Sequence, residues 1–392
     1  MTTGAKHLFI FGIARGGTNL VARMLRQHSL VTVGLDAILP ILNAWRTEIL
    51  IRTSYRGEPQ SRVPAHPDYY FSRRAHESLS SVLNWHEDVL FPQNLRKDVK
   101  NAAESRARLE NQLLRGAFEQ VDVSSARRAV ESVMRATGGS GMPVWLGTKE
   151  VWAVDMIPTL AANFPDARFI VINRDPRAII NSLFKLSEVD PTQWAHVPSY
   201  LRHWRKQVAI LHEIIAMRTD LRDRLMVVRY EDLLEQPEPT ARQMVGHLGL
   251  SWEEAVLYPD GDQLWLGNSS DGPLKGMIDP RRAAGWQSTL ETNCQHFVEA
   301  LVKPEMRLAG YQTSLQEIGA VTSLVAEQLR LYDSNPGRWR SDSGNTANET
   351  LSEIDRINVL DSKDLEISRV RAAELFLFPR VLTDARSTPH SR

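Results

Sequence analysis

The stretch "FGIARGGTNLVARML" (residues 11–25) restricts the architectures open to this chain more than any other feature. It follows a short apolar, β-prone run, "HLFIFG" (7–12), and passes into "TNLVARMLRQH". In that second run Leu20 and Met24, and Val21 and Leu25, share one helical face at i, i+4 spacing. Strand, glycine-rich turn and helix together make a cradle for an oxyanion such as phosphate, because N–H groups at a helix N-terminus point at the ligand. The backbone from Arg15 to Asn19, with Gly16 and Gly17 inside it, is the expected cradle. Thr18 and Asn19 add side-chain donors, and Arg15 adds a charge-assisted contact. Gly12 and Gly17 keep the glycine separation of the Walker pattern, but Thr18 stands where that pattern has lysine. Without the lysine and its Mg²⁺-binding neighbour, ATP hydrolysis is disfavoured. A turn with no ligand is the alternative for this loop taken alone.

The same grammar recurs twice. In "ARFIVINRDPRAIINSLFKL" (167–186) the spacing predicts a buried strand at Phe169–Ile172, a cap at Asp175 and Pro176 in the first helical position. In "RLMVVRYEDLLEQPEPTARQMVGHLGL" (224–250) it predicts a strand near Met226–Arg229 and a helix ending at Leu248–Gly249. Three strands feeding helices place the chain in the α/β class, as a parallel sheet with helices on both faces. Ligands of such sheets sit beyond the carboxyl ends of the strands, where these turns lie. Residues 47–143 differ: rich in arginine and aromatics, with a helical pattern around Leu109, Leu113 and Ala117, they read as a helical insertion covering the sheet. The polar segment 332–350 is a break before a short, helical C-terminal region.

Arg174 ends the second strand, and Ser182 follows eight residues later on the helix. Asp175 and Ser182 are two helical turns apart, so Ser182 faces the side nearest the strand end. Arginine and hydroxyl aimed at one point make a second phosphate site; a capping arginine and an ordinary helix serine are the alternative. Two anion sites at neighbouring strand ends call for one ligand with two separated phosphate-type groups.

Bulk properties exclude several classes. Lys+Arg and Asp+Glu both total 47 in 392 residues, which argues against bulk capture by nucleic acid or a membrane surface. Cys294 is the sole cysteine, so no internal disulfide forms. No segment has the apolar length of a membrane span, and the N-terminal residues lack a signal-peptide pattern, so a cytoplasmic protein is expected. The histidines form no metal-ligand motif, and no Gly-x-Ser-x-Gly elbow points to a hydrolase.

These loops resemble those of the sulfotransferases that use 3'-phosphoadenosine 5'-phosphosulfate. That family's first loop, Arg-Ser-Gly-Thr-Ser/Thr, holds the 5'-phosphosulfate; here it is "RGGTN" (15–19). Its second element, Arg-Asp with a serine eight residues after the arginine, binds the 3'-phosphate; here it is "INRDPRAIINS", carrying Arg174 and Ser182. Its "YEDL" element appears at 229–237 with Tyr230, which matches a tyrosine near the adenine in some members. Its late turn appears as "DPRRAAGW" (279–286), where Arg281 or Arg282 is placed to reach the 3'-phosphate and Trp286 to pack. The order agrees from about residue 7 to 312. The resemblance therefore implies a P-loop NTPase-like sulfotransferase domain over 5–312, with 47–143 on the acceptor side and 313–392 as an extension. It implies the phosphosulfate donor as co-substrate, no metal, and selectivity against ATP. A buried charged group left without the 3'-phosphate costs about 2–5 kcal/mol.

The resemblance also implies the catalytic groups. Asp36, 21 positions beyond Arg15 and two after Gly34, matches the general base of the tyrosylprotein-type branch. Lys149, followed by Glu150 and 25 residues before Arg174, matches its leaving-group stabiliser. The alternatives are a helix-capping Asp36 and a surface Lys149. Gly16 and Asn19 depart from the family's serine and second hydroxyl, and Asp36 is one methylene shorter than that branch's glutamate; His28 is a second candidate base. The expected reaction is in-line sulfuryl transfer to a hydroxyl of a small-molecule, carbohydrate or natural-product acceptor. A kinase-like ATP enzyme and a non-catalytic nucleotide-binding protein are the competing readings.

Overall fold

A computed structural model describes residues 4–53, 67–70, 73–109, 117–138, 143–185, 194, 197–259, 278–315, 318–334, 346–361 and 371–387. The chain divides into two compact units: Met1–His66, Ser80–Asn173 and Asp220–Pro280 form one, and Pro67–Leu79, Arg174–Thr219 and Arg281–Arg392 the other.

The first unit holds a five-stranded parallel sheet of β1 (Lys6–Gly12), β2 (Val31–Leu35), β3 (Trp145–Val151), β4 (Arg168–Asn173) and β5 (Leu225–Arg229), in the order β2-β3-β1-β4-β5. Leu8, Phe9, Ile10 and Phe11 of β1, and Phe169 to Ile172 of β4, are fully buried. Such continuous apolar strands are what a parallel sheet covered on both faces requires. The chain leaves β1 toward β2 and later crosses back past β1 to reach β4. The strand order therefore reverses at β1, and a ligand crevice is expected beyond its carboxyl end. α1 (Thr18–Arg26) follows the glycine loop there. The expected α/β class and helical insertion are both observed: α2 (Leu39–Thr53), α3 (Arg73–Leu83), α4 (Gln93–Leu109) and α5 (Ala126–Thr137) separate β2 from β3, and α6 (Ile157–Asn163) follows β3. Leu109 ends α4, Leu113 lies outside the described residues, and Ala117 opens a 3-10 turn.

Two strands went unread in the sequence. "VTVGL" is short, and "WLGTKEV" carries lysine and glutamate near its carboxyl end, so neither shows a clean apolar pattern. Conversely, the single helix expected after β5 is two, α9 (Tyr230–Glu235) and α10 (Pro237–His247). Pro237 biases Gln236 out of the helical region, and Gln236 adopts φ −132, ψ 64.

The second unit is helical, built on α7 (Pro176–Phe184), α8 (Val197–Met217), α11 (Arg281–Ala284), α12 (Thr292–Leu308), α13 (Thr322–Ser334), α14 (Thr346–Asp361) and α15 (Arg380–Ser387). α13 and α14 run into both ends of the expected break at 332–350, whose centre lies outside the described residues. Buried ion pairs join these helices. Arg202 contacts Asp68 and Glu349 at 3.0 Å each, Arg205 takes both oxygens of Glu353 at 2.7 and 2.8 Å, and Arg356 reaches Glu305 at 2.5 Å. The Arg205 guanidinium also lies 4.1 Å from the Tyr70 ring centroid. Asp68 and Tyr70 of the aromatic "HPDYY" stretch thus serve this network.

Candidate functional site

The glycines of the β1–α1 loop are fixed by space. A Cβ on Gly12 would lie 2.5 Å from the Thr18 methyl and 2.9 Å from Ile172. One on Gly16 would lie 2.8 Å from the Ile13 carbonyl oxygen, to which the Gly16 N–H itself donates at 3.0 Å. That contact accounts for glycine where the resembling family has serine. It also removes the Gly16 N–H from the expected cradle, leaving those of Thr18 and Asn19 at the N-terminus of α1, while the Leu20 N–H donates to the Gly17 carbonyl oxygen at 3.0 Å. Gly17 caps α1 at φ 95, and a Cβ there would meet the Tyr230 ring at 2.3 Å. Tyr230, buried at the start of α9, therefore lies against the loop. Thr18 is buried, no acidic residue occupies the first turn of α1, and Asn19 Oδ1 is buried with no hydrogen-bond partner.

Beyond the neighbouring strands the structure brings Asp36 and Lys149 together. Leu35 and Lys149 pair in register between β2 and β3, and the Asp36 N–H donates to the Lys149 carbonyl oxygen at 2.8 Å. Lys149 is 2% exposed and its Nζ donates to Asp36 Oδ2 at 2.5 Å. Asp36 Oδ1 is buried with no hydrogen-bond partner. Neither alternative reading fits: Lys149 is not at the surface, and Asp36 sits at φ 53 directly after β2, ahead of α2.

Arg15, Asp36 and Trp152 are three of the four described non-glycine residues with positive φ, at 65, 53 and 65, and they follow β1, β2 and β3. Backbone held in this left-handed region costs free energy and gathers at functional sites. The Trp152 N–H donates to the Gly12 carbonyl oxygen at 3.0 Å, tying the end of β3 to the loop. Glu150, noted in the sequence only as an acid beside the lysine, is fully buried. Its Oε1 accepts from the Ile38 N–H and the Thr148 hydroxyl, each at 2.9 Å. Burial, and next the charge of Asp36, push its carboxyl up to about 8. Trp152 gave no sequence signal, and Glu150 gave one only as the acid that follows the lysine. His28 is accounted for structurally: Nε2 donates to the Ser251 carbonyl oxygen at 2.9 Å and Nδ1 accepts from the Leu30 N–H at 3.1 Å.

In the second unit Arg174 precedes α7, and its carbonyl oxygen accepts from Trp204 Nε1 at 2.9 Å. Asp175 caps α7 as expected, accepting from the Arg177 N–H at 2.8 Å. Ser182 is buried on α7. Arg177 pairs with Asp175 and Glu299 and stacks 4.2 Å from the Trp286 ring centroid, so Trp286 packs as expected. Arg281 is exposed and Arg282 half-buried on α11.

The profile of the Sulfotransferase family matches residues 7–254. The chain belongs to the sulfotransferase family. That is a family of transferase enzymes. Curated relatives include a protein-tyrosine sulfotransferase of Drosophila melanogaster, 32% identical over 24% of this chain and 19% of that protein. Protein-tyrosine sulfotransferase 1 of Danio rerio is 28% identical over 49% of this chain and 56% of that protein. The chain thus spans less than two thirds of the length of either. Among solved structures, the sulfotransferase domain of the Synechococcus PCC 7002 olefin synthase is similar over 74% of this chain and 90% of its own, at 18% identity and TM-score 0.46. The sulfotransferase domain from the curacin biosynthetic pathway is similar over 79% and 99%, at 17% identity and TM-score 0.43. Among the described residues no helix is long and apolar enough to cross a membrane, and no group of three or more His, Cys, Asp or Glu is placed to hold a metal ion.

Proposed function

We propose that this sulfotransferase moves a sulfuryl group from 3'-phosphoadenosine 5'-phosphosulfate to an acceptor hydroxyl by in-line displacement. The observation that carries the reading is the Asp36–Lys149 pair, one carboxylate oxygen held by a buried ammonium and the other without a partner. The residues present fit the donor. A cradle too tight for any Cβ and a helix N-terminus free of acids suit the 5'-phosphosulfate, with Arg15, Thr18 and Asn19 beside them. Tyr230 supports that loop through Gly17. Arg174 and Ser182 are assigned to the 3'-phosphate, with Arg281 or Arg282 as further cations.

The donor, when bound, supplies an electrophilic sulfuryl group. Asp36 Oδ1 accepts the proton of the acceptor hydroxyl, and Lys149 stabilises the negative charge that develops on the leaving oxygen. Positioning and electrostatics carry such a transfer, as they do for phosphoryl groups. For the acceptor we propose a small-molecule, carbohydrate or natural-product hydroxyl. A tyrosine of a protein is the second reading, and the names of the curated relatives favour it.

The test is thermal unfolding with 3'-phosphoadenosine 5'-phosphate, ADP and ATP–Mg²⁺, with and without EDTA. At about 100 times its dissociation constant a ligand stabilises by about 2.7 kcal/mol. Stabilisation by the bisphosphate alone, metal-independent and lost in Arg174→Ala, supports the donor; stabilisation by ATP–Mg²⁺ instead overturns it. Lys149→Ala then separates enzyme from binding protein. Transfer to acceptor panels of tyrosine peptides and small hydroxyl compounds is expected to fall about 10²–10³-fold while bisphosphate stabilisation persists.

A further inference from the structure

Asp36 gains its position from a corner, not from the strand. Its φ of 53 turns the chain off β2, and two residues later the Ile38 N–H ends on Glu150 Oε1 at 2.9 Å. The Thr148 hydroxyl donates to the same oxygen at 2.9 Å, fixing the Glu150 rotamer from within β3. The corner is thus pinned at both ends by β3, at Asp36 through the Lys149 carbonyl oxygen and at Ile38 through the Glu150 side chain. We propose that Glu150 is a positioning residue for Asp36, fixing the 36–38 corner so that Asp36 Oδ2 rests on Lys149 Nζ and Oδ1 faces the acceptor. The proposal rests on the catalytic reading of Asp36 and Lys149 above. Glu150 touches neither donor nor acceptor; its oxygen matters as an acceptor for one backbone N–H.

The test compares Glu150→Gln, which keeps the acceptor oxygen, with Glu150→Leu, which removes it at similar volume. Glu150→Asp withdraws it by one methylene and serves should the leucine variant fail to fold. Two readouts are used: kcat and donor KM for sulfuryl transfer, and the rate at which an acylating reagent labels Lys149 in donor-free protein, followed by peptide mass spectrometry. In the leucine and aspartate variants kcat is expected to fall about 100-fold, the cost of a misplacement of about 1 Å, with donor KM unchanged and Lys149 labelled faster. In the glutamine variant both readouts stay close to wild type. The proposal is overturned if the leucine variant keeps its rate and its protected lysine, or if glutamine fails as badly as leucine. It is also overturned if kcat and donor binding are lost together in step with stability. Should the wild-type protein transfer no sulfuryl group, the catalytic reading fails, and the labelling readout alone decides whether Glu150 fixes the corner.

Discussion

Replacing Glu150 by glutamine should remove a large part of this protein's loss of stability between about pH 5 and pH 8. The carboxyl is fully buried, and burial, followed by the charge of Asp36, raises it from 4.5 to about 8. A raised value means that the folded chain holds the proton more tightly than the unfolded chain. The stability associated with the protonated acid is therefore fully present below about 4.5 and is lost as pH rises through about 8. Inside that window the folded state carries about one extra proton, so stability falls by up to about 1.4 kcal/mol per pH unit. Between pH 5 and 7 the loss reaches about 2–3 kcal/mol, a substantial share of the 5–15 kcal/mol typical of a domain. Glutamine keeps an oxygen for the Ile38 N–H and the Thr148 hydroxyl and has no proton to lose. Urea unfolding of both proteins across this range cancels the titrating groups remote from Glu150 in the difference. The variant should gain on the wild type by about 1.4 kcal/mol per unit, levelling off near pH 8. A difference that stays flat from pH 5 to 8 would mean that Glu150 is ionised in the neutral folded protein, and the reasoning would fail.

Two further perturbations test the loop and the helical unit. Gly17→Ala places a methyl 2.3 Å from the Tyr230 ring at φ 95, a backbone that costs other residues about 1–2 kcal/mol, and should abolish stabilisation by the bisphosphate. The double variant with Tyr230→Ala should lose less stability than the two singles summed, as a thermal double-mutant cycle will show. Glu353→Ala leaves buried Arg205 without its two-oxygen partner and should cost about 3–5 kcal/mol; an unchanged unfolding midpoint would refute the weight given to this ion pair.

The glycine loop and its flanking elements were legible because each makes a local demand. The left-handed cap at Gly17 and the Ile13 carbonyl oxygen beside Gly16 are both set within the loop itself and favour glycine there. The capping of α7 by Asp175 was legible for the same reason. β3 was not, since a strand with Lys149 and Glu150 near its carboxyl end looks solvated until both partners, Asp36 and Ile38, are in place. The run "LRHWRKQ" of α8 reads as a surface, yet Arg202, Arg205 and Lys206 are buried. The carboxylate partners of the two arginines, Asp68, Glu349 and Glu353, lie 134 to 148 residues away along the chain, and Lys206 donates to the Pro67 carbonyl oxygen.

The sequence by itself determined the parallel α/β class, the glycine loop with threonine in place of lysine, and the positions of Asp36 and Lys149 relative to their motifs. These follow from short-range spacing, which chain geometry converts directly into strand, turn and helix. The tertiary structure alone decided that Asp36 and Lys149 touch, that Glu150 holds the corner between them, and that Tyr230 backs the loop. Each of these joins residues 112 or more positions apart along the chain. Only the packing of β2 on β3 and of α9 on the β1–α1 loop closes those distances, and burial then turns ordinary charged side chains into a paired and proton-holding set.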